Sequence, residues 1–139
     1  MPNLPADATT FVLNGTPIND LVDGDVVSVT YANPQTTQIN SGNNTTIQER
    51  KDAQVADVVV NVVKYSDSDV FLNNLQNTKQ KKAFEGSLKT LYYKDDNETF
   101  ETYQLTNGSF TAKPADMKNN TDGNALMTYT LRFSALRLI

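Results

Sequence analysis

Apolar residues recur mostly at every second position along this chain, the spacing of half-buried strands rather than helices. Residues 10–13 form a short β run ending on Asn14-Gly15, the dipeptide most favourable to a two-residue hairpin turn, and residues 16–18 return. Asp23-Gly24-Asp25 turns again. Over residues 26–32, Val27, Val29 and Tyr31 alternate with Ser28 and Thr30, as in a strand with one face buried. The most apolar stretch is 54–65. Ala56, Val58, Val60 and Val62 share one face, and Val55, Val59 and Val63 share the other with Asp57 and Asn61. Its β-branched content predicts a strand buried on at least one side.

The period changes once. Ser66 can cap a helix, and Asp67 and Asp69 suit the positive end of its dipole. Val70, Phe71 and Leu75 form the packing stripe, with Leu72 at its edge, and Lys79, Lys81 and Lys82 lie near the C-terminal end. This predicts one helix of at most about three turns. Strands then resume at 86–93, 99–105, 110–113 and 126–136, with turns expected at Asp95-Asp96-Asn97 and at Asn107-Gly108 and a polar loop over 118–124. The last strand alternates cleanly: Met127, Tyr129, Leu131 and Phe133 against Thr128, Thr130, Arg132 and Ser134. The summed pattern predicts a mainly β fold, a β-barrel or sandwich with one short α-helix packed across it. No internal repeat is present.

Residues 33–46 break the pattern. They are polar, uncharged and punctuated by Pro34 and Gly42, which predicts a long hairpin loop. A disordered tip and an interaction arm are both compatible with it. Solvated disordered tips usually carry charge, whereas uncharged hydrogen-bonding side chains suit burial against another chain, which favours the arm. Residues 46–52 then alternate as a strand polar on both faces, as if facing a channel or another subunit.

The 139 residues fit one domain, 1–139, with a short N-terminal arm over 1–8. Twelve Lys and Arg against 16 Asp and Glu give a net charge of −4, which disfavours a static nucleic-acid binder. The chain has no Cys and no His. Disulfides, thiolate chemistry, Ser-His and Cys-His nucleophile pairs and histidine-ligated metals are therefore excluded. What remains for acid–base work is paired carboxylates. Asp95, Asp96 and Glu98 fall on a solvated turn, where nothing raises a pKa. Asp20, Asp23 and Asp25 flank Gly24 like a calcium loop, but the register places Leu21 and Thr30 at ligand positions. The glycines are too scattered for a phosphate loop. The Lys79-Gln80-Lys81-Lys82 run reads as a helix terminus. No enzyme, cofactor or metal site is expected. The first residues lack the basic and apolar regions of a signal peptide, and no apolar run is long enough to span a bilayer, so no membrane binding is expected.

The stretch from Val58-Val59-Val60-Asn61-Val62-Val63 through Lys64-Tyr65-Ser66-Asp67-Ser68-Asp69 to Val70-Phe71-Leu72-Asn73-Asn74-Leu75 resembles tail tube proteins of contractile-tailed bacteriophages. In that family a β-branched strand runs into Ser, Pro or Asp and a short Leu-bearing helix. A second block, Gly108-Ser109-Phe110-Thr111-Ala112-Lys113-Pro114-Ala115-Asp116-Met117, resembles it too, followed by an amphipathic final strand. The resemblance covers roughly 54–136 and matches the N-terminal half only in layout; the loop over 33–46 is richer in Asn than the family suggests.

The resemblance implies hexameric rings stacked as a hollow tube, a design shared with type VI secretion tubes. The long loop (Gln35, Thr36, Thr37, Gln38, Ile39, Asn40, Asn43 and Asn44) would reach the neighbouring ring. The sheets would join into one barrel around a lumen. Polar-face alternation makes Ser28, Thr30, Gln48, Arg50, Thr128, Thr130 and Arg132 the lumen-facing candidates; ordinary solvent-facing positions of a monomer would read the same way. Implied partners are copies of the chain, a tail sheath protein, tape-measure, baseplate and terminator proteins, and DNA in passage. The implied setting is a virion tail tube made in the host cytoplasm. A stand-alone β-sandwich binding module, such as an adhesin or carbohydrate-binding domain, is the competing expectation. It would account for the Asn and Thr richness, but the chain has no Trp.

Overall fold

A computed structural model describes residues 8–19, 27–78, 82–114 and 126–139. The Asp23-Gly24-Asp25 turn, the loop over 118–124, Lys79, Lys81 and the first seven residues lie outside the described residues. The elements are β1 (Thr9–Leu13), β2 (Thr16–Ile18), β3 (Val27–Tyr31), β4 (Thr36–Ser41), β5 (Asn44–Glu49), β6 (Val55–Val63), α1 (Asp67–Asn77), β7 (Phe84–Lys94), β8 (Asn97–Ala112) and β9 (Leu126–Leu138). Seven strands form one antiparallel sheet in the order β2-β1-β7-β8-β9-β6-β3, and β4 and β5 form a separate two-stranded ribbon.

Tight turns set the register. Asn14 and Gly15 both take positive φ, 53° and 81°, the geometry whose twist matches a β hairpin, and join β1 to β2. Asp95 and Asp96 do the same between β7 and β8 with φ of 52° and 62°. β6 then carries the core. Its inward residues Ala56, Val58, Val60 and Val62 face Phe133, Leu131, Tyr129 and Met127 of β9 in direct register. Val27 and Val29 of β3 pack on the same cluster, and so do Phe11, Leu13 and Ile18 from the far end of the sheet. One end of the sheet can share a core with the other only if the sheet curls on itself, so the mainly β fold is a barrel-like sandwich left open between β2 and β3.

Helix α1 lies over that core. The Ser66 hydroxyl accepts from the Asp69 N–H and caps the helix, as its sequence predicts. Ser66→Ala is expected to cost about 1 kcal/mol, measured as a lower midpoint in urea unfolding. The predicted packing stripe is rotated. Leu72 is fully buried and Val70 is 53% exposed, while Phe71 and Leu75 are half-buried against the core. At 100° per residue, Ser68, Phe71, Leu72 and Leu75 share one face and Val70 falls almost opposite Leu72. Two hydrogen bonds fix this rotation: the Asn19 N–H donates to Ser68 Oγ, and the Tyr129 hydroxyl donates to Asp69 Oδ1 at 2.6 Å. The helix closes on Thr78, whose N–H and hydroxyl both donate to the Asn74 carbonyl. No basic residue stands in its last turn, and Lys82 lies beyond it.

Two further expectations change. Asn107-Gly108 is a bulge inside β8 rather than a turn, so the two short strands expected there are one strand of 16 residues. Asn107 takes φ of 55° and the ladder shifts by one residue on both sides, which is how a left-handed residue can bend a strand without ending it. The residues 33–46 are mostly strand: β4 and β5 pair from Thr36↔Glu49 to Ser41↔Asn44 around Gly42, whose φ of 58° permits the two-residue turn.

Candidate functional site

The described residues contain no group of three or more acidic side chains placed to hold a metal, and every buried side-chain nitrogen and oxygen among them has a hydrogen-bond partner. Among the described residues, extended surfaces stand out instead. Three are built by the chain.

The first is the β4–β5 arm. Six-residue strands extend it about 20 Å. Every residue of both strands is exposed, and within the sheets β4 and β5 pair only with each other. Opposed residues share a face, so Thr37, Ile39, Thr46 and Gln48 lie on one side and Gln38, Asn40, Thr45 and Ile47 on the other. Each face carries one exposed isoleucine, Ile39 at 54% and Ile47 at 63%. A hairpin of this kind is marginal alone in water, because it buries no apolar face. The Thr45 hydroxyl donates to Asn40 Oδ1 across the strands. At the root the Arg50 N–H donates to the Gln35 carbonyl, and the Arg50 guanidinium grips Asp52 with bonds of 3.0 and 3.1 Å.

That grip holds the Asp52 carboxyl below its ordinary value, chiefly through the hydrogen bond from Arg50. A carboxylate whose pKa is lower folded than unfolded supports the fold above the unfolded value and loses that support as pH falls through the folded one. The Asp52 carboxyl resonance should therefore titrate below the usual Asp range, and Arg50→Gln should move its midpoint upward. An unchanged midpoint in that variant would show that Arg50 does not hold the root.

The second surface is the outer face of β3, β6 and β9. The register brings Ser28, Val59 and Thr130 into one row and Thr30, Asp57 and Arg132 into the next, with Asn61 beside Thr128. Five of the lumen-facing candidates (Ser28, Thr30, Thr128, Thr130 and Arg132) thus share this face. Gln48 and Arg50 do not: Gln48 is on the arm and Arg50 is at its root. The face is rich in hydroxyls and electrically balanced. Arg132 Nε donates to Asp57 Oδ1 at 2.9 Å, Arg132 Nη2 to Oδ2 at 3.4 Å, and the Thr128 hydroxyl donates to Asn61 Oδ1 at 2.7 Å. The hydrogen bond to Asp57 raises the Arg132 pKa above its ordinary value. Asp57 is the residue that sequence reasoning missed here. Its place on the polar side of the 54–65 alternation was the available signal.

The third is the pair of sheet edges. β2 is three residues long and contains Pro17, which has no N–H to offer, so that edge is blunted. β3 pairs with β6 on one side and with no described strand on the other. It is five residues long and contains no proline or charge, features that leave an edge open to another strand.

No protein-family model matches the sequence, and no curated protein sequence matches it. Solved structures do share the fold over nearly its whole length. A chain of the anti-feeding prophage cap, described as a tube-terminating cap, superposes with a TM-score of 0.68 at 10% identity over 98% of this chain and 91% of its own. A chain of the sheath–tube complex of the PVC extracellular contractile injection system in the extended state gives 0.64 at 11% identity, again over 98% and 91%. A chain of the sheath/tube terminator structure of the PVC system gives 0.60 at 12% identity, over 99% and 97%. The fold is thus that of chains found in contractile injection structures, in keeping with the tube-protein resemblance read from the sequence.

Proposed function

We infer that this chain is a structural subunit that assembles with copies of itself into stacked rings, the inner tube of a contractile phage tail or a related injection particle. The observation that carries this reading is the β4–β5 arm, a hairpin whose strand residues are all exposed and which pairs with no other described strand. A monomeric protein gains nothing from such an element; an assembling one gains a contact. The open β3 edge supports lateral joining, in which sheet extends sheet until a ring closes and removes the edge. Ring closure at six copies follows the family resemblance.

The outer face of β3, β6 and β9 suits the lumen. Its hydroxyls hydrate well, and its facing charges, Asp57 and Arg132, cancel each other. A polyanion such as DNA would meet no excess positive charge on such a wall, so it would shed no counterions into solution there and would not be held. Sheath outside, terminator and baseplate at the ends, and a tape-measure protein within complete the proposed assembly. The chain itself performs no catalysis in this reading.

Electron microscopy of the concentrated, purified protein tests it. Rings or tubes are expected. Particles that stay globular and sediment as monomers, especially if they bind glycans, would favour a stand-alone binding module.

A further inference from the structure

The arm leaves the sheet where β3 ends and β6 begins. At the other end of β6, about 30 Å away, the chain builds a cleft of quite different character. It lies between the loop after β6, the first turns of α1 and the start of β9, and Tyr65, Asp69, Val70, Asn73 and Met127 line it, with a volume of about 270 Å³. Two of its residues are unusual. Tyr65 is 70% exposed and takes φ of 67°, a left-handed conformation that costs a bulky residue energy. That conformation is held by the Tyr65 N–H donating to Asp69 Oδ2 at 2.9 Å. Val70 stands outward on a helix whose packing face is elsewhere.

We propose that this cleft receives the β4–β5 arm of a second copy of the chain. Arm and cleft lie at opposite ends of the same strand, so an arm-to-cleft contact is head-to-tail and repeats without limit, which generates a stack. Residues 36–48 of the arm carry no charge, with Glu49 at its root. The two charged side chains that line the cleft are engaged within it: Asp69 accepts from the Tyr129 hydroxyl and the Tyr65 N–H, and buried Lys64 lies with Nζ 5.4 Å from the centre of the Tyr65 ring. Ile39 or Ile47 would meet the Tyr65 ring and Val70. A contact smaller than the roughly 1,000 Å² of a stable pairwise interface suffices, because every subunit of a ring presents one. The proposal rests on the tube reading and names the receiving surface within it.

Two variants and their mixture test it. Val70→Glu removes the cleft's affinity while leaving the arm intact. Replacing Thr36–Glu49 by an Asn-Gly turn does the reverse. Each variant alone should give single rings, shortening assemblies at least tenfold by electron microscopy. Mixed, they should form stacks of two rings and no more, because one supplies arms and the other clefts. Tyr65→Gly guards against misfolding as the cause: it relieves the backbone strain, so it should keep the wild-type melting temperature and still shorten the tubes. Wild-type tubes alongside full-length Val70→Glu and Tyr65→Gly tubes would overturn the cleft assignment and leave the tube reading standing. Wild-type protein that never stacks would overturn both.

Discussion

Gly108→Ala is expected to lower the thermal midpoint by about 10 °C, a large response for the addition of one methyl group. Gly108 sits in the β8 bulge directly over the Phe133 ring. A Cβ built there would come within 2.7 Å of the ring's Cζ and closer still to Cε1 and Cδ1. The ring cannot step aside, because Phe133 is buried in the middle of β9 and its Cα pairs with Ala56 in β6. Overpacking of this kind costs about 2–3 kcal/mol, and each kcal/mol moves the midpoint of a chain this size by about 4 °C. Asn107→Gly at the neighbouring position is the control. Asn107 already holds φ of 55°, which glycine adopts without strain, so its midpoint should stay within about 2 °C of wild type. A Gly108→Ala midpoint equally close to wild type would show that the bulge is soft and that Phe133 does not anchor it.

Excising the arm has the largest expected effect on assembly and one of the smallest on the fold. Gln35 and Arg50 are already joined by a backbone hydrogen bond of 3.0 Å, so a two-residue Asn-Gly turn between them closes a hairpin that exists at the root. Nothing removed is buried, since β4 and β5 are exposed throughout. The urea midpoint should therefore move by less than about 0.5 kcal/mol in equivalent stability. Stacking should be lost altogether. Long tubes from the excised protein would mean that rings are held by other surfaces and that the arm serves something else.

The sequence shows the core plainly and the arm poorly, for the same physical reason. Burial imposes periodicity. Ala56, Val58, Val60 and Val62 each face the core, and their alternation marks β6 and its inward side without further information. The arm buries nothing, so its strands have no apolar rhythm, and only Gly42 between two polar runs hints at a hairpin. Asn107-Gly108 is ambiguous because a left-handed residue followed by a glycine serves a turn and a bulge alike; only the pairing of β8 with β7 and β9 on both sides selects the bulge. Val70 and Leu72 are two residues apart in a short helix whose other apolar residues are Phe71 and Leu75, and the choice between them is made by Asn19 and Tyr129, contacts distant in sequence. The outer polar face was visible as alternation in β3 and β9. That Asp57 neutralises Arg132 depends on the register between β6 and β9, which no single strand encodes.

The central claim is that this chain is completed by copies of itself. Sedimentation velocity across a wide concentration range, with electron microscopy of the fastest fraction, tests it most directly. Rings that stack into hollow tubes as concentration rises are the expected result. A single monomeric boundary at every concentration, with no rings in any fraction, would contradict it.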